Sequence, residues 1–389
     1  MTATDDTFTR KSMDTFGFSL VFKYFCRQNG ESIISKQPIM KILLFCENKY
    51  AVDILNPLQT EANKQGGHEV LWYVHQKKIP QFPLSNEVKY TFSIQEAYDF
   101  HPDAVFAPGN IVPYYLSGVK ASIFHGYAAE KRDQFRIRNY FDIYMTQGRY
   151  FTQEFEKLRQ HYHDFEVLET GWTRQDWIVA HRHDFEKERE QMLRVHNCRQ
   201  IVLYAPTFSP RLTSLPKIKQ ALTDLVNQKN VLLLIKLHPL TSRKWVDEYK
   251  ALASSHANII FEEDNAVTKY MLLADVMVSD TSSTIYEMLL LDKPVVTLDT
   301  VSKNPYWKDI KDAAELSDAY EEVQNSPEMV EKRRWIIENY DPYSDGLVAH
   351  RMLEGVKDYI LRNGVPEKRK LNLWRKYVCI KTFGNVKRR

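Results

Sequence analysis

The chain has 389 residues, 43% of them hydrophobic and 26% charged, and a formal net charge of +3. This balance excludes a disordered chain, no apolar run is long enough to cross a bilayer, and the length suits two α/β domains of about 150–180 residues each. The charge is uneven: Pro366 to Arg389 holds nine Lys/Arg against the single Glu367, which leaves about −5 on residues 1–365.

The N-terminus lacks the basic start of a secretory signal, so export is not expected. Residues 1–37 form a leader whose one patterned stretch is Phe16 to Phe25, either an interfacial anchor or a helix packed on the first domain. Met40 to Cys46 reads as a buried strand, Ala51 to Lys64 as a helix stopped by Gly66-Gly67, and His68 to Val74 as the next strand. That alternation implies parallel pairing with right-handed crossovers. Ala104 to Ala107 and Lys120 to Phe124 follow as strands, the second delivering His125-Gly126, with Phe141 to Thr146 and Phe165 to Leu168 beyond. A first doubly wound domain over 38–192 results.

Thr173 to Cys198 is charged and helical, suited to a surface path between domains. A second alternation over 193–346 then begins. It offers strands at Ile201 to Thr207, Val231 to Leu237 and Asn258 to Phe261, and helices at Leu215 to Gln228, Arg243 to Ala253 and Ala266 to Leu273. Asp275 to Asp280 is a further apolar strand. Asp280 or Thr281 is placed to cap a helix through Ile285, Met288 and Leu289, Lys293 stands near its C-terminus, and Pro294 prevents its continuation. Val295 to Leu298 is the strand after it. Tyr343 to Gly346 is a turn, Leu347 to Leu361 an amphipathic helix that braces the domains (347–362), and 363–389 a basic, aromatic tail.

The expected fold class is therefore α/β, two doubly wound parallel sheets facing across a cleft. Ligands in such sheets sit beyond the carboxyl ends of strands, and His125, Thr207, His238 and Ser282 each follow a strand. The turn Asp280-Thr281-Ser282-Ser283 leaves backbone N–H groups unpaired at a helix start, which suits a diphosphate; an ordinary hydroxyl cap is the plainer alternative. The four cysteines Cys26, Cys46, Cys198 and Cys379 are scattered, as reduced thiols are. His161/His163 and His181/His183 lack accompanying ligands, no Asp-x-Asp closes a strand, and no P-loop or Gly-x-Gly-x-x-Gly is present, so no metal or other cofactor is signalled.

Five motifs in order are Phe124-His-Gly126 with Lys131, Thr170 to Asp176, Tyr204-Ala-Pro-Thr207, Lys236-Leu-His-Pro239, and Val278 to Ser283 with Glu287. Together they resemble the CDP-glycerol glycerophosphotransferases, the teichoic acid primases and polymerases, a family of GT-B fold. The family's lysine position holds Glu130 here, with Lys131 next to it. The resemblance implies attack of an acceptor hydroxyl on the β-phosphorus of a CDP-polyol with release of CMP. By that likeness His125 is the candidate base, on flexible Gly126, and His238 faces the diphosphate or the leaving CMP. Arg174 and Lys131 neutralise phosphate oxygens or are plain surface charges, and Lys236 shares the His238 strand face or is a sheet-end charge. Glu287 accepts from the ribose hydroxyls or faces solvent, and Thr207 lines the nucleotide site or closes a turn. Asp176, Asp280, Thr281, Ser282 and Ser283 complete the expected substrate set.

The implied partners are a CDP-activated polyol, most simply CDP-glycerol, and a lipid-linked or polymeric acceptor in wall, capsule or lipopolysaccharide synthesis. The tail suits an anionic membrane on the cytoplasmic side, a nucleic-acid patch being the alternative that nothing else supports. Two other readings share the scaffold: a nucleotide-sugar glycosyltransferase or UDP-sugar epimerase, and a nucleotide-binding protein without chemistry.

Overall fold

The structure, a computed structural model, describes residues 39–127, 134–264, 267–366 and 371–387. The Phe16 to Phe25 stretch and Lys131 lie outside the described residues. Strands β1 (Lys41–Cys46), β2 (Glu69–Val74), β3 (Tyr90–Thr91), β4 (Ala104–Ala107), β5 (Val119–Ser122), β6 (Ile143–Thr146) and β7 (Glu166–Glu169) form one sheet. Its order is β3-β2-β1-β4-β5-β6-β7, and every pairing is parallel. Strands β8 (Gln200–Tyr204), β9 (Val231–Ile235), β10 (Ile259–Phe261), β11 (Val276–Ser279), β12 (Val295–Leu298) and β13 (Lys308–Ile310) form the other, ordered β10-β9-β8-β11-β12-β13 and again parallel.

The apolar runs have a direct cause. In β1, Ile42 and Leu44 enter one core while Leu43 and Phe45 enter another on the opposite face. In β9, Leu232 and Leu234 face one core and Val231, Leu233 and Ile235 the second. A parallel strand covered on both faces has no position for a polar residue, so alternation disappears from its sequence.

Helices α1 (Ala51–Gln65), α2 (Ile94–Asp99), α3 (Arg149–Arg159), α4 (Arg174–His181) and α5 (Glu186–His196) belong to the first half of the chain. The stretch expected as one charged helix is thus two, α4 and α5. Helices α6 (Leu215–Lys229), α7 (Arg243–Ser254), α8 (Val267–Leu273) and α9 (Thr284–Leu290) alternate with the second sheet. Asn230, in the left-handed conformation, stops α6. Lys293 does meet carbonyls at a helix end, but at α8, where its Nζ donates to the carbonyls of Met271, Leu272 and Ala274.

Helices α10 (Leu316–Asn325) and α11 (Pro327–Tyr340) follow β13, and none of the three carries a motif that foretells it. Helix α12 (Val348–Asn363) returns to the first sheet, where a Cβ on Gly355 would lie 2.2 Å from Leu168 Cδ2. The tail is not a free basic segment: Leu373–Phe383 forms helix α13, docked on the first sheet's core. Cys379 and Phe383 are buried there, Phe383 packs edge-on against Phe45, and the Tyr115 hydroxyl donates to the Gly384 carbonyl at 2.7 Å. Burying Phe383 alone contributes about 1.5–3 kcal/mol. The i, i+4 pair of apolar residues faces inward, and the exposed face carries Leu373, Trp374 and Tyr377.

Candidate active site at the strand ends

Strand β5 ends at Ser122, two residues earlier than the sequence suggests. Phe124 then takes a left-handed conformation (φ 57°), which a bulky residue adopts only where its surroundings impose it. This turn presents His125 exposed at the sheet's carboxyl edge. Its Nδ1 lies 3.0 Å from the Pro108 carbonyl oxygen. A carbonyl only accepts, so Nδ1 carries a proton, and in the neutral ring Nε2 is the atom with the lone pair. Gly126 is fixed behind it, its carbonyl accepting from the Gln147 side chain at 2.9 Å.

His238, after β9, has the opposite arrangement. Its Nδ1 accepts from the Leu240 N–H at 3.1 Å, which leaves the proton on Nε2. The ring stacks on Phe208 at 4.4 Å, and burial, followed by the nearby Lys236 ammonium, holds its pKa below the ordinary imidazole value. His238 is therefore a neutral N–H donor. Lys236 is buried, donates to the Leu237 carbonyl at 3.1 Å, and has its own pKa lowered by burial against the pull of Asp264 and Glu262. The two histidines follow strands of different sheets and share no hydrogen bond or ring contact among the described residues.

The turn after β11 differs from the expected cap. Helix α9 begins at Thr284 with Ser283 at its N-cap; the Ser283 side chain makes no capping bond, and the Thr284 N–H donates to Ser282 Oγ at 3.4 Å. Asp280 is fully buried, and its carboxylate accepts from the backbone N–H groups of Thr207 (2.8 Å), Ser214 (2.8 Å) and Thr281 (2.5 Å) and from the Ser214 hydroxyl (3.0 Å). It is an organiser of the corner and has no oxygen left to meet a ligand. Thr207 is joined to this corner through its N–H, and Thr281 Oγ1 accepts from the Val301 N–H at 3.4 Å. Ser282 Oγ lies 2.8 Å from Thr284 Oγ1. The N–H groups of Ser282 and Ser283 have no partner among the described residues, so two amides remain open at the corner.

Arg174 and Glu287, expected to meet separate parts of a nucleotide, meet each other. Arg174 Nη1 donates to Glu287 Oε2 at 2.8 Å, with side-chain exposures of 13% and 8%, and the guanidinium lies 4.9 Å above the Trp172 ring. This pair ties α4 to α9. Asp176 also differs from expectation: its two oxygens accept from the N–H groups of Val348 (2.9 Å) and Ala349 (2.7 Å), so it caps α12. The close approach requires Gly171, at φ +90°, where a Cβ would come within 2.8 Å of Val348 Cγ2.

The sequence reading missed Asp341. Fully buried, it accepts from the Tyr127 hydroxyl (2.6 Å) and the Trp172 N–H (3.0 Å), and so joins the loop behind His125 to the loop before Arg174. Burial pushes its carboxyl up to about 8. His181 and His183 are engaged with the Trp177 carbonyl and Glu186, and among the described residues no group of three or more His, Cys, Asp or Glu is placed to hold a metal.

Two doubly wound parallel sheets with histidines at their carboxyl edges define a two-lobed α/β protein of GT-B type. The family described as CDP-Glycerol:Poly(glycerophosphate) glycerophosphotransferase matches residues 118–358, and the chain belongs to that family. A relative, the teichoic acid poly(glycerol phosphate) polymerase of Bacillus spizizenii, is 25% identical over 175 residues, a stretch that spans 43% of each protein. The fold is similar to that of the wall teichoic acid polymerase TagF (TM-score 0.58, 14% identity, covering 83% of this chain and 89% of that one). It is similar also to S. aureus MnaA solved with UDP (TM-score 0.62, 14% identity, 86% and 100%).

Proposed function

We propose that the chain transfers glycerol phosphate from CDP-glycerol to a hydroxyl of a lipid-linked or polymeric acceptor, releasing CMP. The observation that carries this is the pair of opposite imidazole tautomers. His125 offers a bare Nε2 and His238 an Nε2–H, which is the division of labour an in-line phosphoryl transfer needs. His125 Nε2 takes the proton of the acceptor hydroxyl as that oxygen bonds to the β-phosphorus. The bond from the β-phosphorus to the bridging oxygen breaks, and its electron pair leaves with CMP. His238 and the open amides of Ser282 and Ser283 donate to the diphosphate oxygens as charge moves onto the leaving group. Lys131, by the family resemblance, adds a cation to those oxygens. Arg174 reaches them by exchanging Glu287 for phosphate, which frees Glu287 to accept from the ribose. The reaction as written requires no metal or other cofactor.

The acceptor belongs to wall, capsule or lipopolysaccharide synthesis, and the enzyme works as a peripheral protein on the inner membrane face. Support for the latter comes from α13, whose exposed Leu373, Trp374 and Tyr377 share the helix with Lys376 and Lys381. Each such cation near an anionic leaflet contributes about 1 kcal/mol. Among the described residues no helix is long and apolar enough to cross a membrane. Incubating the protein with CDP-glycerol and, separately, UDP-sugars tests the reaction: CMP release supports it, and UDP release alone overturns it.

A further inference from the structure

The first sheet reverses its winding between β1 and β4, and the crevice beyond that point is where doubly wound folds hold ligands. Three strand ends meet there. Glu47 follows β1, Pro108-Gly109 follow β4, and His125 follows β5. The Glu47 carboxyl lies over Gly109 so closely that a Cβ at that position would be 2.0 Å from Oε1. Any larger residue at this position would displace the Glu47 carboxyl from where it lies. The preceding Pro108 carbonyl is the one that fixes the His125 tautomer.

The polar groups of this corner are unevenly used. One Asn48 Nδ2 serves both neighbours, donating to Glu47 Oε1 at 3.3 Å and to the Tyr50 hydroxyl oxygen at 3.0 Å. Glu47 Oε2 and the Tyr50 hydroxyl hydrogen are then unspent among the described residues. The Tyr50 ring lies 5.3 Å from the His125 ring and is 39% exposed. Glu47 is half-buried, forms no ion pair among the described residues, and caps no helix, since the first turn of α1 is held by backbone bonds to Asn48 and Lys49. A carboxyl of this kind is normally paired, and burial, against the pull of the Lys78 ammonium, keeps its pKa above the usual carboxylate range.

We infer that Glu47 and Tyr50 form the shelf that holds the hydroxyl-bearing end of the acceptor against His125. This rests on His125 being the base of the proposed transfer. The carboxyl accepts from a hydroxyl adjacent to the attacking one, the Tyr50 hydroxyl donates to the same polyol, and the Tyr50 ring covers its C–H face. A carboxylate repels phosphate, so the shelf selects the neutral polyol end of a growing chain and turns its phosphates away.

Glycerophosphoglycerol, a soluble acceptor with free glycerol ends, serves as the probe, with CDP-glycerol as donor. Acceptor-dependent CMP release gives the acceptor KM, and calorimetry with CDP gives donor-site affinity. E47A is expected to raise the acceptor KM at least tenfold with CDP affinity within twofold of wild type. E47Q keeps the shape and an accepting oxygen and falls between. Y50F, which removes only the hydroxyl, raises the acceptor KM severalfold with an unchanged melting curve. An unchanged acceptor KM in E47A and Y50F overturns the shelf, as does a parallel loss of CDP affinity. A wild-type chain that releases no CMP overturns the transfer itself, and the shelf with it.

Discussion

Removing the Asp280 carboxylate should collapse the nucleotide corner, and the size of the effect follows from its bonds. In D280A three backbone N–H groups lose their acceptor together, those of Thr207, Ser214 and Thr281. The Ser214 hydroxyl keeps a partner in the Tyr204 hydroxyl, 2.9 Å away. An unsatisfied buried donor costs about 1–3 kcal/mol. Ser214 is buried, whereas the Thr207 and Thr281 amides lie closer to water and are partly resolvated. Relief of the buried, cation-free carboxylate offsets part of the loss. The net expectation is about 2–4 kcal/mol, a large share of the roughly 5–15 kcal/mol that holds a domain together. D280N retains one accepting oxygen but turns an amide toward the Ser214 N–H, so its loss is smaller, about 1–2 kcal/mol. Urea denaturation followed by tryptophan fluorescence measures both, and calorimetry with CDP reports the corner directly. Wild-type midpoint and wild-type CDP affinity in D280A would refute the assignment of Asp280 as organiser.

Two further outcomes follow from the same structure. Asp341, with its carboxyl raised from 3.8 to about 8, stays protonated in the fold while the unfolded chain ionises, so its contribution to stability is complete at acid pH and is lost as pH climbs from about 4 to 8. D341N cannot titrate, and the stability gap between wild type and D341N should change across that window, read from urea midpoints at pH 5 and pH 8; parallel curves would contradict the burial argument. For the membrane face, deleting the tail is a poor test because Cys379 and Phe383 belong to the core. Replacing Leu373, Trp374 and Tyr377 with serine leaves that packing intact. Flotation with anionic vesicles should lose the triple variant and retain the wild type, and equal flotation of both would remove α13 as the contact.

Much of the sheet architecture is legible in the sequence because parallel strands buried on two faces must be apolar without interruption. β1, β9 and β11 announce themselves in this way, and Gly66 marks where α1 stops. The two-residue β3 and the mixed β13 bury too little to leave a pattern. Carboxylates are harder still. Asp176 caps a helix that begins 172 residues later in the chain, and nothing local separates such a cap from a ligand contact. The same distance hides Asp341, whose partners Tyr127 and Trp172 lie far away in sequence. The tail misleads for another reason: its composition is basic and aromatic, and only the i, i+4 pair Cys379 and Phe383 marks the buried side. The histidines are findable because each lies three residues past the end of a buried strand, yet their tautomers require coordinates, since the Pro108 carbonyl and the Leu240 amide decide them.

The central claim is that His125 draws the proton from an acceptor hydroxyl while CDP-glycerol surrenders its glycerol phosphate. The direct measurement is CMP release from CDP-glycerol by the wild-type chain and by H125A, with CDP affinity recorded for both. The structure predicts turnover in the wild type, a loss of about 10²- to 10⁴-fold in H125A, and CDP binding preserved. Turnover at the wild-type rate in H125A, or nucleotide release confined to UDP-sugars, would contradict it.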